Sequence, residues 1–220
     1  TYLKTSNYMN LYSCFQNLKC HFHHCTSNNK DGAYQIGKVL ATNMKLRGWD
    51  KKGTVGIIAI PQKRANGKAR TDGFMKAMNE SNIKSAGLFQ QQNFSYLETY
   101  NYSIELIKNN PELKAIWLQG SNRYKGALDA IKKSNKEGKI FLICFDSEPE
   151  FLDMIPDGSL LGSAMQQPYL MGVKSVELLD KHIKGFTVEK NFKLNILAIS
   201  QKNIQENIPT INRNVLGLEE

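Results

Sequence analysis

Between Lys139 and Asp146 lie six apolar residues without a break: Ile140, Phe141, Leu142, Ile143, Cys144 and Phe145. A run this short and this apolar reads as a strand covered on both faces, as in a parallel sheet. Parallel neighbours need crossover segments, and the flanking chain supplies them. Short apolar runs at 55–60, 86–89, 113–118, 160–165 and 194–199 alternate with stretches of helical period. One such helix carries Ile36, Val39, Leu40, Met44 and Leu46 and stops at Gly48. Further helices are predicted over 70–79, 96–108, 126–133, 151–155 and 169–184, the last ended by Gly185. The alternation predicts an α/β fold of βαβ units with right-handed crossovers.

In such a fold ligands bind outside the carboxyl ends of the strands. Asp146 stands at one such end, and it reads equally as the N-cap of the turn that follows. Arg70 is read as opening the helix after 55–60, where it opposes the helix dipole unless a hydroxyl-rich or anionic ligand compensates; the alternative is an ion pair with Asp72 or Glu80. After 86–89 comes Phe94, either a flat wall for a sugar ring or a core residue. After 113–118, Gly120 permits close backbone approach, while Ser121 and Asn122 suit helix capping. After 160–165, Gln166 offers both a donor and an acceptor. These segments deliver polar and aromatic groups to one edge of one sheet, which suits an uncharged polar small molecule.

A formal charge of +9 raises the question of nucleic acid, but most lysines are scattered along helical faces. The one basic patch, Lys63, Arg64, Lys68 and Arg70, lacks the interleaved aromatics of a single-strand platform, so no nucleic acid is expected. No apolar stretch approaches the roughly 20 residues of a membrane helix. The chain opens on Thr1, which fits a trimmed or mature product. No phosphate-loop or Gly-x-Gly-x-x-Gly signature follows a strand, no Ser–His–acid set can be placed, and no cofactor is expected. The front differs: Cys14, Cys20, His21, His23, His24 and Cys25 crowd together. Their gaps match no common zinc pattern; structural zinc, a disulfide and an irregular segment all remain open there.

Certain short stretches carry a resemblance: Ala69-Arg70-Thr71-Asp72-Gly73-Phe74, Asn110-Pro111-Glu112-Leu113, Gly126-Ala127-Leu128-Asp129-Ala130-Ile131, Phe145-Asp146, Asp157-Gly158, Gln166-Gln167-Pro168 and Met171-Gly172. In this order, over about 28–207, the chain resembles type I periplasmic solute-binding proteins, especially the ribose-binding branch, and the sensing cores of lac-repressor-like regulators. The resemblance implies two α/β lobes with a sugar between them, and ligand contacts from Arg70, Phe94, Asp146 and Gln166. Gly120 falls where that pattern usually has an asparagine.

The same resemblance implies a domain plan. Residues 1–30 stand in place of a first lobe, 31–166 form the complete second lobe, 167–195 return towards the first lobe, and 196–220 are a final strand and tail. The helix 169–184, with Leu170, Val173, Val176, Leu179 and Ile183 on one face, is then expected to expose apolar surface and favour self-association or another partner. The function implied is extracytoplasmic binding of a small sugar or polyol, without catalysis, for a membrane transporter or a sensor kinase. A cytoplasmic regulator core and a non-binding, zinc-stapled interaction module are the rivals.

Overall fold

The computed structural model describes residues 24–218. These run through β1 (His24–Ser27), α1 (Asn29–Leu46), β2 (Thr54–Ala59), α2 (Ala65–Glu80), β3 (Lys84–Gln90), α3 (Tyr96–Asn109) and β4 (Leu113–Leu118). There follow α4 (Tyr124–Lys133), β5 (Phe141–Phe145), α5 (Phe151–Asp157), β6 (Gly162–Met165), α6 (Pro168–Ile183), β7 (Asn191–Leu194), β8 (Leu197–Ser200), α7 (Ile204–Thr210) and a π-helical turn, Ile211–Leu216.

The described chain divides into two compact units. The larger, Ser27–Leu170 with Leu194–Glu220, holds a sheet of order β3-β2-β4-β5-β6-β8. Neighbours from β3 to β6 are parallel and β8 runs antiparallel to β6. Strand order reverses between β2 and β4, which opens a crevice at their carboxyl ends.

Helices cover both faces, so the inner strands β2, β4, β5 and β6 bury residues on both sides. Phe141, Ile143 and Phe145 face α1 and α2, in one core with Ile36, Leu40 and Phe74 of those helices and Trp117 of β4. Leu142 and Cys144 face the opposite core, with Leu106, Ile131, Phe151 and Ile155. That two-sided burial is why the run 140–145 is apolar without alternation. Phe74 and Trp117 stack with ring centroids 3.9 Å apart.

In the smaller unit, Met171–Lys193 group with residues 24–26, and β1 and β7 make a two-stranded sheet. No residue of α6 is buried; Val176 and Ile183 are 68% and 71% exposed.

Three expectations change. The run 194–199 is two strands, β7 and β8, interrupted at 195–196 and placed in different sheets. The tail is not merely a strand: α7 and the π-helical turn follow, burying Ile204, Ile211 and Val215 on the main core. And α2 starts at Ala65, so Arg70 lies beyond its first turn and escapes the dipole conflict expected of it. Cys14, Cys20, His21 and His23 lie outside the described residues; Cys25 is a free, half-buried thiol in β1.

Candidate functional site

The carboxyl edge of the large sheet is assembled from five strand ends, and Asp146 is its anchor. Its backbone N–H donates to the Ala164 carbonyl at 2.9 Å, and its own carbonyl accepts from Ser163 Oγ at 2.5 Å. Both bonds reach β6, and between them they hold Asp146 at φ 71°. That left-handed conformation is unfavourable for a non-glycine residue, although Asp tolerates it better than most. Such strain persists only where the surroundings over-determine it, and it turns the carboxylate away from the strand direction.

Arg70 and Gln166 take up that carboxylate. Arg70 Nη1 and Nη2 lie 3.4 Å from Asp146 Oδ2 and Oδ1, and Gln166 Nε2 donates to Oδ1. Arg70 Nε donates to Asn29 Oδ1 at 2.8 Å, and Nη1 also reaches the Gln119 carbonyl at 3.1 Å. The flat guanidinium lies 3.7 Å above the centre of the Phe145 ring. A guanidinium has five N–H groups; these bonds use four, leaving one on Nη2. Arg70 is 4% exposed, so the surface pairing with Asp72 or Glu80 does not occur; Asp72 pairs with Lys68 instead. Burial pulls the Arg70 guanidinium below the usual arginine range and Asp146 opposes that pull; the group stays charged. Nor does Asp146 cap the turn Ser147-Glu148-Pro149 that follows it: its carboxylate bonds go to Arg70 and Gln166.

Phe94 sits in the loop after β3, also left-handed at φ 52°. Its loop is tied down by Glu98, whose carboxylate accepts from the N–H groups of Gln92, Asn93 and Phe94. Burial raises the Glu98 pKa, but the four backbone N–H groups of residues 92–95 outweigh it and hold Glu98 below the ordinary 4.5. The half-buried ring carries Arg64 and Arg123 guanidiniums 5.3 and 5.2 Å from its centre.

Gly120 lies beside Arg123: a Cβ there would stand 2.6 Å from Arg123 Nη2. Ser121 and Asn122 do not cap α4. Ser121 Oγ donates to Glu148 Oε1 at 2.6 Å, Asn122 Oδ1 accepts from Arg123 Nη1, and the N-cap position is Arg123 itself. Arg70, Asp146 and Gln166 thus form one hydrogen-bonded group, while Phe94 and Gly120 meet through Arg123. Asn29 and Arg123 escaped the sequence reading. The former sits at a helix start 41 residues from its partner, and the latter follows two residues that mimic a cap. The unusual Gly120 was the one clue to Arg123.

The site has the chemistry of recognition. Its carboxylate accepts, its amide does both, and its aromatic ring offers a flat face. Cys144, the one thiol nearby in sequence, is fully buried and pushed far up by desolvation, so it is no nucleophile.

Comparison with known proteins agrees with this architecture. The D-ribose/D-allose-binding protein of Pseudomonas aeruginosa is 26% identical over 162 residues, 74% of this chain and 49% of that protein. The ribose import binding protein RbsB of Haemophilus influenzae is 25% identical over 178 residues, 81% of this chain and 58% of its own. The chain therefore spans about half the length of these curated relatives. A periplasmic solute-binding protein of an ABC transporter from Actinobacillus succinogenes 130z, solved with D-allose, superposes with a TM-score of 0.74 at 21% identity, covering 82% of this chain and 63% of that one. The sequence model for the periplasmic binding protein domain matches residues 17–187. With most of its length inside that match, the chain belongs to the periplasmic binding protein domain family.

Proposed function

We propose that this chain supplies one wall of an extracytoplasmic sugar site and presents its ligand to a membrane transporter, without chemistry of its own. The observation that carries this reading is the Arg70–Asp146–Gln166 group at the crevice of the parallel sheet. Asp146 accepts from two ligand hydroxyls, Gln166 bridges donor and acceptor, Phe94 stacks against the ring, and Arg70 keeps the Asp146 carboxylate aimed. The ribose- and allose-binding relatives support the ligand class. Among the described residues no helix is long and apolar enough to cross a membrane.

The test is a thermal shift with D-ribose, D-allose and D-arabinose. A ligand at a hundred times its Kd stabilises the folded state by about 2.7 kcal/mol, a shift of several degrees. Asp146→Ala should abolish that shift. A protein that is folded by circular dichroism yet unmoved by every neutral and acidic sugar would overturn the reading.

A further inference from the structure

Arg123 is a buried cation with no carboxylate bonded to it: burial pulls its guanidinium down, and Asp146, Glu98 and Glu148 oppose that pull only from a distance. It is 7% exposed, yet no carboxylate oxygen lies within 4 Å of its guanidinium among the described residues. The acids around it are committed elsewhere. Asp146 accepts from Arg70 and Gln166, Glu98 from three loop N–H groups, and Glu148 from the Ser121 hydroxyl. The one hydrogen bond of the Arg123 side chain among the described residues is from Nη1 to the neutral Asn122 side chain, and its Nε is buried without a partner.

Burying a charge with no bonded partner is costly, and the Arg123 guanidinium bears that cost with one of its donors unused. The guanidinium is also placed by its surroundings: its carbon lies 5.2 Å from the centre of the Phe94 ring, and the missing side chain at Gly120 leaves room for Nη2. The exposed Arg64 adds a second positive charge against the same ring. A sugar hydroxyl would satisfy an N–H but not the charge. An anionic oxygen satisfies both, and a planar fork of donors suits it.

We propose that Arg123 is the subsite for an anionic oxygen group on the sugar, so that the ligands of this lobe are acidic sugars carrying a carboxylate or a phosphate. This rests on the sugar-binding reading above and narrows it. Asp146 and Gln166 read the hydroxyls, while Arg123 reads the acid.

Isothermal titration of the whole chain with D-glucose, D-glucuronate and D-glucose 6-phosphate, and with D-ribose and D-ribose 5-phosphate, tests it. At least one acid should bind about tenfold or more tightly than its neutral parent, with an advantage that shrinks as salt rises. Whichever acid shows it, uronate or phosphate ester, identifies the group. Arg123→Gln and Arg123→Met should bring the acid-to-neutral ratio towards one, and Arg123→Lys should retain part of it. The unliganded Arg123→Met protein should melt at or above the wild-type temperature, which a merely structural arginine would not allow. Neutral sugars binding as tightly as their acids, or an acid preference that survives Arg123→Gln, overturns this inference and leaves the sugar-binding reading standing. Silence from every compound overturns both.

Discussion

Asp146 carries two burdens in one residue: a left-handed backbone and the counter-charge of a buried arginine. Asp146→Asn separates them, because asparagine also tolerates that conformation but brings no charge. Removing one partner of a fully buried pair costs about 3–5 kcal/mol. With a third of the Asp146 side chain open to solvent, the expected loss is nearer about 1–2 kcal/mol. Urea unfolding checks this, and a midpoint equal to wild type would show that Arg70 needs no counter-charge. At this scale the sequence was partly readable. Asp146 and Gln166 stood out because strand ends are visible as the close of apolar runs. Arg70 stood out too, but in the wrong helical turn, because Ala65 to Lys68 carries no apolar period to announce a helix. Only the unusual Gly120 pointed to Arg123, since its place against Phe94 is set by packing with a segment distant in the chain.

Elements hold these residues in register, and two of their contacts are open to test. Helices α1 and α2 cross so closely at Gly73 that a Cβ there would lie 2.0 Å from the Lys30 carbonyl oxygen. Backbone cannot yield as a flexible side chain does, so Gly73→Ala should cost about 1–3 kcal/mol or more by overpacking. It should also part Asn29 from Arg70, lowering sugar affinity together with stability; equilibrium unfolding and titration read the two effects. The second contact is Glu98, which ties the Phe94 loop to the start of α3. Its folded-state pKa is depressed, so its stabilisation is present above the ordinary value of 4.5 and is lost as pH falls through the lower folded value. Melting temperatures followed from about pH 6 to about pH 3 should show an acid-side drop that Glu98→Gln lacks. Identical profiles would remove Glu98 from the account of that loop.

Among the described helices of the molecule, α6 buries no residue. Tyr169, Val173, Val176, Leu179 and Ile183 are exposed, and Phe186 beyond them is 63% exposed. Apolar surface of this kind finds a partner. Sedimentation of the chain should show a mass that rises with concentration, and Val176→Asp with Ile183→Asp should abolish the rise; a wild-type chain that stays monomeric throughout would exclude self-association by this face. The order of strands and helices, the buried runs and the polar strand ends were all present in local composition. Hydrophobic period and turn residues are properties of neighbours along the chain. What composition could not convey was pairing over distance: the antiparallel β8, the division of 194–199 between two sheets, Asn29 on Arg70, and Arg123 against Phe94. Those follow from which groups are left facing one another once both faces of the sheet are covered. That is settled by packing among distant segments, and no single stretch of the chain encodes it.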